Sequence, residues 1–175
     1  MLQRYKILSH KNGLLFSADE EVKKLYKNNS FKELISRRFY IKEKTNLKKS
    51  LKTKILKNRK NIKKLENIIH PLVRIKMKNF TKVNRNKKAL FYEIPLLIES
   101  KLMKFFDVIV FIKAKKITRL KRFISKGGDK KLFNIMNKKQ FSDAKKIKFC
   151  DHVIVNEKNL KVLKKNLLDI INIYV

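Results

Sequence analysis

Cysteine, glycine, proline and tryptophan are all scarce in this 175-residue chain, and each scarcity excludes something. One cysteine, Cys150, cannot form an internal disulfide, and no Cys/His cluster has metal-ligand spacing. Zinc and thiol redox chemistry are therefore not expected. Three glycines and two prolines leave no flexible linker, no low-complexity segment and no sign of a second independent domain, so residues 1–175 read as one domain. No window approaches the roughly 18 uninterrupted apolar residues of a membrane span. The opening MLQRYKILSHKNG also lacks the apolar core and small-residue cleavage site of a secretory signal, so the expected location is cytoplasmic, with no membrane partner.

Acidic residues are also few, 14 against 47 Lys and Arg, for a formal net charge of +33. Such an excess points first to a polyanionic partner. Lysine, however, far outnumbers arginine, and asparagine and isoleucine are abundant too, a bias that AT-rich codons produce. Bidentate recognition of bases and phosphates favours arginine, and the lysines are spread over the whole chain with no single stripe. No specific nucleic-acid partner is expected, and an anionic small molecule fits the charge as well. Hydrophobic residues make up 43% of the chain, with 12 Phe, enough for a sizeable core.

Short apolar, β-rich runs alternate with helical periodicity. The runs are 89–95 (ALFYEIP), 107–112 (DVIVFI) and 152–155 (HVIV), with a shorter one at 14–17 (LLFS). Nearly continuous apolarity is the mark of strands covered on both faces. Spacings of three and four predict helices over 19–27, 46–57, 60–69, 71–83, 115–126, 129–138 and 158–172. The alternation predicts an α/β fold with a parallel sheet. About seventy residues between the first two strands read as helix only, which predicts a helical insertion over about 28–86. Pro71 is expected to mark a joint between two helices, because proline starts a helix more easily than it continues one.

Several residues sit where chemistry would need them. Asp19 follows the 14–17 strand, where the carboxyl ends of parallel strands line a ligand crevice, and a carboxylate there suits a general base. Ser17 and Asp19 also read as ordinary helix N-caps, followed by Glu20 and Glu21 in the first turn. Glu93 and Pro95 end the second strand, with Leu96 and Glu99 beyond it. Proline forces the chain out of the sheet there, and the crevice reading stands beside that of a buried strand whose glutamate pairs with a lysine. Arg119 and Arg122 lie three apart on one helix face with Lys126 four further on, a row able to clamp phosphates or simply to meet solvent. Gly127-Gly128 is a turn or C-cap signal and a poor phosphate loop. Gln140 and Lys146 are expected on one helix before the last strand, whose end, Asn156, serves a nucleotide or a turn equally well. His70 and His152 have no Ser or Cys partner arranged around them.

Singly these signals are weak, but their succession is not. AD at 18–19, LENIIHPLVR at 65–74, EIPLLIES at 93–100, RLKR at 119–122, Gln140 with Lys146, and CDHVIVN at 150–156 together resemble the dephospho-CoA kinase family, from about residue 11 to the C-terminus. The resemblance implies a three-layer P-loop kinase fold, ATP as co-substrate with Mg2+, and transfer of the γ-phosphoryl group to the ribose 3′-hydroxyl of dephospho-CoA. It implies Asp19 as the base that orients the hydroxyl. It also implies Arg119, Arg122, Lys126, Lys146 and Asn156 as ATP and lid residues, within a lid over about 115–148. His70, Pro71, Arg74, Glu93, Pro95, Leu96, Glu99 and Gln140 fall to the substrate side. Ser17 stands where the family usually has Asp, Glu93 replaces another Asp, Lys126 stands at a common arginine, and Cys150 at the usual Ala.

The departure lies upstream. Family members open with a strand and a loop G-x-x-x-x-G-K-S/T, whose amides, lysine and hydroxyl hold phosphates and magnesium. No such sequence occurs in these 175 residues. Residues 5–13 read as the end of the helix that normally follows that loop, so the first strand and the P-loop are expected to be missing. Two readings follow. The chain is the body of an ordinary kinase read from a late start codon or a damaged 5′ end, which the intact downstream pattern favours. Otherwise it is what the cell makes, an inactive relic or a binding protein, and activity of these residues alone is not expected. Another small-molecule or nucleotide kinase and a basic nucleic-acid-binding protein remain as alternatives.

Overall fold

The computed structural model describes residues 14–42 and 46–175. The reading of residues 5–13 as a helix end lies outside them. The described residues fall into two compact units, 14–95 and Leu96–Val175.

The first unit opens with strand β1 (Leu14–Ser17) and helices α1 (Ala18–Leu25), α2 (Asn29–Phe39), α3 (Leu47–Lys57) and α4 (Lys60–Val83), and closes with strand β2 (Leu90–Glu93). Each of the middle helices buries one stripe. Phe31, Ile35 and Phe39 recur every four residues on α2, Leu47, Leu51 and Ile55 do so on α3, and Ile62, Ile69 and Met77 line one side of α4. Ile35 is wholly enclosed. Asn28 starts α2 by accepting the N–H of Phe31 at 3.0 Å.

Strands β1 and β2 run parallel, with Phe16 opposite Tyr92 and Ser17 opposite Glu93. Because successive side chains alternate faces, Phe16 and Tyr92 share one face and Ser17 and Glu93 the other. The first face packs as an aromatic triangle with Phe80 of α4, ring centroids 5.5 to 5.9 Å apart. The Thr81 hydroxyl donates to the Met77 carbonyl at 3.0 Å, so the Tyr92 hydroxyl, 2.6 Å away, donates to Thr81.

The second unit holds a 3-10 turn (Met103–Phe105), strand β3 (Val110–Lys113), helices α5 (Lys116–Ile124), α6 (Lys130–Lys139) and α7 (Asp143–Ile147), strand β4 (His152–Val155) and helix α8 (Leu160–Tyr174). β3 and β4 are parallel, Val110 opposite His152. The core gathers Ile98, Leu102, Ala114, Phe133, Ile154, Leu163 and Ile171. Asp151 fixes the entry to the pair, since its carboxylate accepts the N–H of Ile109 at 2.7 Å while its own N–H donates back to the Ile109 carbonyl. Gly127, at φ 78°, ends α5 as the turn reading requires, with the Gly128 N–H on the Phe123 carbonyl at 2.9 Å. A Cβ on Gly128 would fall 2.2 Å from the Phe123 ring.

The four strands lie where the apolar runs place them, and all pairings are parallel. Among the described residues they pair two by two, β1 with β2 and β3 with β4. Two expectations are corrected. Pro71 is no joint, because α4 runs unbroken through it. The carbonyl that Pro71 leaves unbonded belongs to Asn67, whose exposed position lets water replace the lost partner. Nor do Gln140 and Lys146 share a helix. Gln140 is the extended residue that closes α6, and Ser142 starts α7 anew by accepting the N–H of Lys145 at 3.3 Å.

The first of these corrections carries a test. A proline in a helix interior costs about 3 kcal/mol, against about 1 kcal/mol gained by stiffening the unfolded chain. Pro71→Ala should therefore raise the urea midpoint and the helical signal of the protein; a lowered midpoint would mean that the break at Asn67 is needed.

Candidate active site

In the first unit the chemistry collects at the carboxyl end of β1. Ser17 is buried and occupies the N-cap position of α1 in extended conformation, yet its side chain does no capping. Its hydroxyl instead donates to the Glu93 carboxylate at 3.0 Å, joining the ends of the two strands. Asp19 is not the cap either. It is exposed in the first turn of α1 beside Glu20 and Glu21. Pro95 follows β2 in an exposed turn. His70 is half-buried and Arg74 exposed on α4, one turn apart on the same face, with the exposed Pro71 beside them.

In the second unit, four residues singled out from the sequence converge. Lys146 and Glu99 form an ion pair at 3.2 Å with side chains only 8% and 11% exposed. Lys146 also donates to the Gln140 side-chain oxygen at 3.1 Å and lies 5.6 Å from the centre of the Phe111 ring. The same Gln140 oxygen accepts from Arg119 Nη1 at 3.3 Å, and the same Glu99 oxygen accepts the N–H of Phe141 at 2.9 Å. Arg119 Nε is buried with no hydrogen-bond partner among the described residues. Leu96 contributes its carbonyl to the turn that carries Glu99, accepting the Ser100 N–H at 2.9 Å. Arg122 and Lys126 are exposed along and just past α5. Asn156 prolongs the β3–β4 ladder, its N–H on the Lys113 carbonyl at 2.7 Å.

The sequence reading passed over Glu157. Its carboxylate accepts the backbone N–H of Lys115 and, at 2.7 Å, the Thr118 hydroxyl, so it caps α5 from the loop after β4. The Thr118 hydroxyl, then the Lys115 N–H, hold its carboxyl below the ordinary glutamate range. The available signal was an acid directly after a strand in a chain with few acids. Burial, then the neighbouring Asp151, push the Cys150 thiol up, and its Sγ donates to the Lys146 carbonyl.

Among the described residues no three His, Cys, Asp or Glu side chains converge on a point that would suit a metal ion. Magnesium in phosphoryl transfer takes most of its oxygens from phosphates and water, and in P-loop kinases the protein hydroxyl that holds it belongs to the G-x-x-x-x-G-K-S/T loop. The described residues do not make a magnesium site by themselves.

Parallel strands alternating with helices, a carboxylate past one strand end and a helix with two arginines are the features of an α/β kinase of the P-loop class. A crystal structure from Thermus thermophilus shares the chain's fold, superposing with a TM-score of 0.72 over 97% of this chain and 89% of its own at 20% identity. Within that class the chain belongs to the dephospho-CoA kinase family. The family described as Dephospho-CoA kinase matches residues 16–161. The protein of that name from Bartonella henselae is 34% identical over 163 residues, covering 90% of this chain and 83% of the relative. A dephospho-CoA kinase structure from Campylobacter jejuni is 25% identical with a TM-score of 0.61, covering 95% of this chain and 87% of its own.

Glu157 yields a pH-dependent prediction. A carboxyl whose folded value is depressed adds stability above its unfolded value, and that stability is lost as pH falls through the folded value. Glu157→Gln should lower the thermal midpoint at pH 7, with the difference from wild type shrinking below the ordinary value of 4.5. A constant difference down to pH 2 would contradict the capping role.

Proposed function

We propose that this chain is the body of a kinase that, with an upstream phosphate loop, transfers the γ-phosphoryl group of ATP to the ribose 3′-hydroxyl of dephospho-CoA, giving CoA and ADP in the cytoplasm. Family membership over residues 16–161 supports the reaction. The observation that carries the assignment of roles is the parallel pair β1–β2, whose ends are tied by Ser17 and Glu93 so that Asp19 follows in the first turn of α1. In this reading Asp19 accepts the hydroxyl proton as the oxygen attacks phosphorus, and ADP departs in line. The Ser17–Glu93 bond sets where α1 begins and hence where that carboxylate stands.

The helical region of about residues 28–86 takes dephospho-CoA through His70, Pro71 and Arg74. Glu93, Pro95 and Leu96 shape the end of β2 beside it. Arg119, Arg122 and Lys126, in the lid of about residues 115–148, meet the phosphates of ATP, where cations offset the charge of the transferring group. Asn156 serves the adenine end. A lysine at position 126 contributes charge without the bidentate fork of an arginine.

The chemistry requires a phosphate cradle that these 175 residues do not encode, so the reading is tested in two forms: the chain as it stands, and the chain preceded by a family strand and G-x-x-x-x-G-K-S/T loop. The longer form should release ADP in the presence of dephospho-CoA, and the shorter should do so far more slowly. Phosphorylation of nucleoside monophosphates in place of dephospho-CoA would overturn the substrate. In the active form Asp19→Asn should lower kcat by about 10²- to 10⁴-fold with KM for both substrates nearly unchanged, the range for a lost general base. An undiminished kcat would remove Asp19 from the reaction.

A further inference from the structure

We infer that Lys146 is a positioning residue and not a ligand of ATP: with Glu99 it anchors Gln140, and Gln140 fixes the guanidinium of Arg119. The inference deepens the kinase reading, on which the role of α5 rests. Lys146 is spent inside the protein. Its ammonium has three hydrogen-bonding positions, two of which are taken by Glu99 and Gln140, and an aromatic ring lies to one side. With a side chain 8% exposed, it cannot reach a phosphate without abandoning the Glu99 charge, which would then be buried and unpaired. An arginine-like clamp at this position is therefore not what the chain uses.

Gln140 is the hinge of the arrangement. Its side-chain oxygen receives both Lys146 and Arg119, so the rigidity of the buried pair passes through one atom to a residue of α5. Its backbone is extended at the end of α6, and the next N–H, that of Phe141, is held by Glu99. Gln140 is thereby fixed at both ends of its peptide and side chain. Among the described residues Arg119 donates from Nη1 to Gln140, and its buried Nε has no partner. Arg122, three residues on, is exposed.

Two measurements test this, the first on the 175-residue chain. In the ligand-free protein, the side-chain Nε–H of Arg119 should exchange with water at least about tenfold more slowly than that of Arg122, as expected of a buried group. Gln140→Met, and separately the charge-neutral pair Glu99→Gln with Lys146→Met, should abolish that protection while the backbone spectrum keeps its dispersion. Equal exchange for both arginines in wild type, or protection that survives both variants, overturns the inference. The second measurement titrates ATP into the chain preceded by a family strand and G-x-x-x-x-G-K-S/T loop. Gln140→Met should raise the Kd about tenfold, the scale of one charge-assisted contact, and should add nothing in the Arg119→Gln background, since the two then act as one unit. Additive losses would make Gln140 a ligand in its own right. If wild type fails to bind ATP even at millimolar concentration, the kinase reading loses support, and the exchange measurement still decides whether Lys146 positions Arg119.

Discussion

The second unit depends on one buried ion pair, Lys146 with Glu99. A lysine enclosed by protein is stable in its charged form only beside an anion, and removing one member of such a pair costs about 3–5 kcal/mol. Three chain segments meet at this pair: the turn after Pro95, the end of α6 and the last turn of α7. Its formation decides where Gln140 lies, and Gln140 in turn decides where Arg119 can point.

The same economy governs the rest of the molecule. With only 14 acids against 47 bases, a carboxylate on the surface would find a lysine almost anywhere, and such exposed pairs add little. Several acids instead hold backbone or side-chain donors at junctions. Glu93 holds the Ser17 hydroxyl between strand ends, Asp129 starts α6 by accepting the Leu132 N–H, Asp151 holds the Ile109 N–H, and Glu157 caps α5. The excess of positive charge repels itself, and salt screens that repulsion over about 8–10 Å at ordinary ionic strength. What holds the fold locally is the placement of the few anions among many cations.

How much of this was legible in the sequence follows from the range of each interaction. The strands were legible because continuous apolar runs have few other uses, and the proline at 95 marks the end of β2. The helices were legible from their periodicity, but their joins were not. Pro71 reads locally as a stop, yet α4 continues through it with Asn67, four residues back, at an exposed position. Gln140 and Lys146, six apart, fit one helix by spacing, yet Ser142 caps a new one between them. The convergence of Glu99, Gln140, Lys146 and Arg119 spans 47 positions of chain, beyond any local pattern; the ordered motifs named these residues without revealing that they bind one another. Glu157 was passed over because the neighbouring Asn156 fitted a familiar strand-end role.

The central claim concerns the product, and its identity is the most direct evidence. Incubation of dephospho-CoA and ATP with the protein carrying an upstream phosphate loop, followed by 31P spectroscopy, distinguishes a new ribose phosphomonoester from simple release of inorganic phosphate. The account predicts the signal of a 3′-phosphomonoester growing in step with ADP. ADP accompanied only by inorganic phosphate, or a phosphoryl group on any other hydroxyl, would contradict it.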